Sequence, residues 1–170
     1  MKNIDVSVAY CPISNLKLGC GIAKINKMLE KGINVTLGTD GQGSGSNLDL
    51  FETMKFTALL QKGITENSKS LPAYEVLKMA TINGAKALGL EEKIGSIETG
   101  KLADIIINID DVKIKPINNL ISEIVYNVNG NNVITTIVDG RILMEDKKIL
   151  VDKENEVYTK CEERIRRIQE

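Results

Sequence analysis

Apolar and polar positions divide the chain into two regimes that meet near Gly89. In the first, Val6-Ser7-Val8-Ala9-Tyr10 is a short, largely apolar run closed by Cys11-Pro12, which predicts a buried strand that proline ends. A loop from Ile13 to Gly21 is expected next. From Gly21 onward, Ile22, Ile25, Met28 and Leu29 recur at helical spacing, and Gly32 stands where a helix C-terminal glycine belongs. Asn34-Val35-Thr36-Leu37-Gly38 then predicts a second strand. Strand, helix and strand over residues 6–38 make a βαβ unit, so the strands should be parallel neighbours, both buried on two faces. Thr39 to Asn47 is too rich in glycine and serine for regular structure. Leu50, Phe51, Met54, Ala58 and Leu59 mark a helix. Ser70-Leu71-Pro72 opens another, which Asn83-Gly84 is expected to break or bend.

The second regime is β-rich. Gly95 to Gly100 reads as turns around a short strand, Ala103–Ile109 as a strand, and Val133–Val138 as another. Asp139-Gly140 is a hairpin signal leading into Arg141-Ile142-Leu143-Met144. From Glu154 to Glu170, Val157, Cys161, Ile165 and Ile168 form a narrow amphipathic stripe, which predicts a helix packed on its own domain, the alternative being a partner-binding helix.

Composition narrows the function classes. Lys plus Arg count 22 and Asp plus Glu 23, a balance that offers no electrostatic reason to expect nucleic acid or a membrane surface as partner. No stretch approaches the roughly 20 apolar residues of a membrane span, so a soluble cytoplasmic protein is expected. The three cysteines, Cys11, Cys20 and Cys161, have no framework spacing and read as reduced thiols. The chain has no histidine, which removes the commonest general base and metal ligand together.

Candidate chemistry therefore rests on Gly38-Thr39-Asp40-Gly41, at the C-terminal end of a buried parallel strand, where α/β folds bind ligands. Asp40 is the candidate metal ligand and base, or else the cap of a glycine-rich loop. Ser14, Asn15 and Lys17 leave the same end of the neighbouring strand and are candidates to border one pocket with it, or to form turns and caps. A phosphate cradle at Gly41–Gly45 lacks the Gly-Lys-Ser/Thr ending of a P-loop and the third spaced glycine of a dinucleotide site.

Five motifs carry a resemblance. They are Cys-Pro-Ile-Ser-Asn-Leu-Lys-Leu at 11–18, Gly32 to Gly41 with its Leu-Gly-Thr-Asp-Gly ending, Ala-Thr-Ile-Asn-Gly-Ala-Lys-Ala-Leu-Gly-Leu at 80–90, Gly95 to Asp104, and Val-Asp-Gly-Arg at 138–141. In this order they resemble the amidohydrolase superfamily, most of all the 5-methylthioadenosine/S-adenosylhomocysteine deaminases, with guanine deaminases and chlorohydrolases as cousins. The resemblance implies an α/β fold, the C-terminal part of a (β/α)8 barrel plus strands of a flanking β-sandwich. Residues 1–92 would supply the last two barrel strands and their helices, 93–151 the sandwich share, and 152–170 a C-terminal helix.

It also implies hydrolysis of a non-peptide C–N bond, deamination of a purine nucleoside by metal-activated water, with zinc as the metal and Asp40 as ligand and proton acceptor. A complete barrel takes roughly 250 residues. The histidines of the family's site would come from a missing N-terminal barrel segment, in cis or in trans, and Tyr10 stands where related sequences commonly carry histidine. The chain alone is accordingly expected to hold no tightly bound metal, to be inactive, and to self-associate through its open edges. The alternative is a non-catalytic remnant serving as a structural or oligomerising module.

Overall fold

The computed structural model describes residues 6–45, 47–108, 112–151 and 154–169. The start at Met1, Ser46 of the glycine-rich loop, the Ile109 end of the expected strand and Glu170 lie outside them. The elements are β1 (Ser7–Tyr10), α1 (Pro12–Lys17), α2 (Ile25–Glu30), β2 (Asn34–Leu37), α3 (Gln42–Gly45), α4 (Leu50–Thr65), α5 (Ala73–Ala80), α6 (Ile82–Ala87), β3 (Ile105–Asn108), α7 (Leu120–Tyr126), β4 (Val133–Val138), β5 (Arg141–Glu145), β6 (Lys148–Ile149) and α8 (Glu154–Gln169).

The expected βαβ unit is present: β1 and β2 are parallel, with Ser7 opposite Asn34 and Tyr10 opposite Leu37. Helices α2, α4, α5 and α6 pack over β2. The core joins Tyr10, Ile25, Val35, Met54, Ala58, Val76 and Met79, with Val125 of α7 added from the second regime. Burying such side chains is worth about 1.5–3 kcal/mol each before the ordering entropy is subtracted.

Several expectations need correction. The loop expected at Ile13–Gly21 begins as a helix, because Pro12 at the first helical position has the right fixed φ and Asn15 N–H reaches the Cys11 carbonyl at 3.0 Å. The following helix starts at Ile25, not near Gly21. Buried Gln61 of α4 accepts from Ile25 N–H at 3.1 Å and donates to the Ala23 carbonyl at 2.8 Å, so this stretch bonds to α4 instead of winding.

The glycine-rich loop contains a helical turn, α3. The expected break at Asn83-Gly84 lies at Thr81, whose φ of −128° and ψ of −98° separate α5 from α6. No strand forms between Gly95 and Gly100. Instead Lys101 Nζ gathers the segment by donating to the Glu91 carbonyl at 2.5 Å and to Ser96 Oγ at 2.7 Å, with Glu98 3.4 Å away. Gly95, at φ +92°, allows the turn to lie against α6, because a Cβ there would sit 2.7 Å from that of Ala85. Burial of both strands on two faces also fails for β1, where Ser7 and Ala9 are exposed among the described residues.

In the second regime, β3, β4, β5 and β6 form an antiparallel sheet in chain order. Asp139 and Gly140, at φ 49° and 72°, make the expected tight hairpin between β4 and β5. The unforeseen α7 is capped by Asn119, whose side chain accepts from Ser122 N–H. Asp49 clasps the two regimes together: one carboxylate oxygen caps α4 at Phe51 and Glu52 N–H, and the other accepts from Gly130 N–H at 2.8 Å. The final helix forms as expected, but Val157, Ile165 and Ile168 are exposed and its described residues do not pack on a domain core. No helix among the described residues is long and apolar enough to cross a membrane.

Candidate active site

Parallel pairing brings the C-terminal ends of β1 and β2 to one end of the molecule, and Gly38 N–H extends the pairing by donating to the Tyr10 carbonyl at 3.0 Å. The Cys11 thiol lies against the bare α-carbon of Gly38, where a Cβ would meet Sγ at 3.0 Å. Two residues on, Asp40 adopts a left-handed φ of 61°, a conformation that costs a non-glycine residue energy.

Its carboxylate is held at both oxygens. Ser14 Oγ donates to Oδ2 at 2.7 Å, and Gly41 N–H donates to Oδ1 at 2.6 Å. Ser14 itself is only 2% exposed. Lys17 Nζ donates to the Gly43 carbonyl at 3.0 Å, tying α1 to the turn that follows Asp40. Asn15 lies between these two on α1, and its carbonyl accepts from Cys20 N–H at 2.8 Å. The fold thus gathers Ser14, Lys17 and Asp40 at one strand end, linked by hydrogen bonds spanning 26 residues of sequence.

The electrostatics follow from these contacts. The Ser14 hydroxyl, then Gly41 N–H and then Ser44 hold the Asp40 carboxyl below its ordinary pKa, so an anion stands at the strand end at neutral pH. Burial pushes the Cys11 thiol up and the Asp40 charge adds to the shift, the opposite of what activates a thiol nucleophile. Burial also raises the Tyr10 phenol, whose hydroxyl is buried without a hydrogen-bond partner among the described residues.

An anion cradle at Gly41–Gly45 is disfavoured because the Ser44 and Gly45 N–H groups both donate to the Gly41 carbonyl, at 3.1 and 2.7 Å. Zinc sites use about three protein ligands. Among the described residues no three His, Cys, Asp or Glu side chains gather to hold a metal. Asp40 is a single donor, so this chain's described residues do not by themselves fit zinc.

The sequence signatures around this strand-end carboxylate, which itself sits at a left-handed φ, match a known class. The model of the amidohydrolase family matches residues 2–143, and the chain belongs to that family. A 5-methylthioadenosine/S-adenosylhomocysteine deaminase of Caldanaerobacter subterraneus subsp. tengcongensis is 46% identical over 169 residues, 99% of this chain and 39% of the relative. A 5'-deoxyadenosine deaminase of Methanosarcina acetivorans is 50% identical over 158 residues, 92% of this chain and 36% of the relative.

Among solved structures, a zinc-bound adenosine deaminase from Xanthomonas campestris superposes with a TM-score of 0.92 at 29% identity, covering 96% of this chain and 37% of its own. A zinc complex of the atrazine chlorohydrolase from Arthrobacter aurescens TC1 gives 0.80 at 28% identity, covering 92% and 35%. The chain therefore spans under two fifths of the length of these relatives.

Sequence reasoning offered Asp40 as a cap of its glycine-rich loop, the role that the Gly41 N–H contact fills, but did not anticipate Ser44 as a support or the Asp49 clasp. Asp49 was detectable, since an aspartate just before a periodic apolar run is a helix N-cap signal.

Proposed function

We propose that this chain is the C-terminal share of a metal-dependent purine-nucleoside deaminase of the 5-methylthioadenosine/S-adenosylhomocysteine type, and that Asp40 is what it contributes to the site. In this reading residues 1–92 are the last segment of a (β/α)8 barrel, 93–151 the C-terminal part of a composite sandwich, and 152–170 an appended helix. The observation that carries it is the doubly anchored Asp40 carboxylate at the joint C-terminal end of two parallel strands. The names of the relatives support the nucleoside substrate, and the zinc in two solved neighbours supports the metal.

Asp40 offers a charged acceptor for a cation or a proton. Ser14 orients it from a buried position, and Lys17 steadies the turn beside it. Substrate-contacting roles for Ser14, Asn15 and Lys17 require loops that the remaining part of the barrel would supply. With Asp40 outside any three-donor cluster among the described residues, the chain alone holds no stoichiometric zinc and releases no ammonia, and its open edges drive it to associate. A second reading, a structural module without catalysis, is favoured by the buried Tyr10 hydroxyl, which has no hydrogen-bond partner among the described residues.

The test is the coding DNA upstream of the Met1 codon, read in all three frames. A His-x-His strand and two later strand-end histidines, in frame or one shift away, support the enzyme reading. Their absence overturns it in favour of the structural module.

A further inference from the structure

Asn-Gly pairs are where a chain most readily modifies itself, because glycine has no Cβ to hinder its peptide nitrogen from attacking the preceding side-chain amide. The sequence has two, Asn83-Gly84 and Asn129-Gly130, and their settings differ. Asn83 lies in α6, where its Nδ2 donates to the Val35 carbonyl at 3.0 Å, and a Cβ on Gly84 would meet Thr36 Oγ1 at 3.2 Å. Helical backbone and that bond hold the amide against β2. Asn129 is exposed, in the connection between α7 and β4. Its Oδ1 accepts from Asn131 N–H at 3.0 Å, an Asx turn that curls the side chain back over the following peptide bond and polarises its carbonyl. Gly130 N–H donates to Asp49 Oδ2 at 2.8 Å, so a carboxylate already stands on the proton that this nitrogen must lose.

We propose that Asn129-Gly130 is a self-modification site, with Asp49 as the proton acceptor and Asn131 N–H as the donor to the developing oxyanion. The Gly130 nitrogen forms a bond to Asn129 Cγ as its proton passes to Asp49 Oδ2. Asn131 N–H holds the negative oxygen of the tetrahedral intermediate. Asp49 then hands the proton to Asn129 Nδ2, the Cγ–Nδ2 bond breaks, and ammonia leaves behind a cyclic imide. Water opens that ring at either carbonyl. Opening at Cγ gives aspartate at position 129; opening at the main-chain carbonyl gives isoaspartate, with the backbone routed through Cγ. The isoaspartate lengthens the main chain ahead of Gly130 and displaces its N–H from Asp49, so the modification loosens the clasp between the two regimes.

Peptide mapping by mass spectrometry, on the folded 170-residue chain stored in neutral buffer and on the same chain held unfolded in urea, tests this without any variant. Position 129 should convert at least about tenfold faster in the folded chain than in the unfolded one, a small part of what a positioned base contributes. Asn83 should do the reverse and convert more slowly when folded. Asp49→Asn, which keeps the α4 cap, should lose at least about tenfold of the folded rate at position 129 and leave the unfolded rate unchanged. Folded Asn129 that stays intact or converts no faster than in the unfolded chain, or a folded Asp49→Asn chain that converts like the wild type, overturns the proposal. None of these outcomes bears on whether Asp40 serves a deaminase.

Discussion

Replacing Tyr10 by phenylalanine should stabilise this protein, an unusual direction for a change at a buried residue. The tyrosine is 2% exposed, its ring is part of the core with Ile25, Val35 and Met54, and its hydroxyl has no hydrogen-bond partner among the described residues. A buried polar group left unpaired costs about 1–3 kcal/mol, while the ring's burial is unchanged by loss of the oxygen. Subtracting some lost packing around a small vacated volume, Tyr10→Phe should gain about 1 kcal/mol and raise Tm by about 2–4 °C for a chain of this length.

Urea unfolding at constant m gives the free-energy difference directly. The pH dependence supplies an independent check. Burial raises the folded phenol's pKa above the ordinary 10.0, so its contribution to stability is intact below that value and is lost as pH climbs towards the folded pKa. Phenylalanine has no such loss, and the advantage of Tyr10→Phe should widen above pH about 10. If Tyr10→Phe instead costs 1 kcal/mol or more, on the order of one net hydrogen bond, the hydroxyl has a partner and the reasoning fails.

Gln61→Ala should destabilise by about 2–4 kcal/mol, because it strands Ile25 N–H and the Ala23 carbonyl together; chemical denaturation within about 0.5 kcal/mol of wild type would refute this. Asp49→Ala should cost about 1–3 kcal/mol through the lost α4 cap and the lost Gly130 bond. Asp49→Asn keeps the cap and should cost less, so equal losses would contradict the division of labour between its two oxygens. The depressed Asp40 pKa gives stability that is present above the unfolded carboxylate's value and lost as pH falls through the folded one. Asp40→Asn should therefore flatten the acid side of the stability profile, and an unchanged acid limb would show that the Ser14 and Gly41 contacts do not hold in solution.

Much of the architecture was legible because local chemistry and global fold agree at particular residues. Asp139-Gly140 demands positive φ, and the hairpin it predicts is the one between β4 and β5. The run Asn34 to Leu37 is a strand because its apolar residues are covered by helices that the 3.6-residue period also marks. Pro12-Ile13-Ser14-Asn15 misled because its residues favour turns as readily as first helical turns, and only the neighbouring packing decides between them. Gln61 reads as a surface helix position, yet its burial trims α2 at a distance of 36 residues. Asp40 was visible as a strand-end carboxylate, whereas its bond to Ser14 depends on how two loops meet and has no local signal. The stripe of α8 predicted packing on its own domain, yet no core of the described residues covers it, because an apolar stripe specifies that a face can be buried and not against what.

The central claim is the proposal that Asp40 serves as metal ligand only together with a segment like the preceding portion of the longer relatives. It is tested most directly by fusing the preceding portion of the Caldanaerobacter relative to this chain and measuring zinc content and ammonia release from 5-methylthioadenosine. The account expects zinc and turnover in the fusion, neither in the 170-residue chain, and loss of both zinc retention and turnover on Asp40→Ala. Stoichiometric zinc with ammonia release from the chain alone, or a folded fusion indifferent to Asp40→Ala, would contradict it.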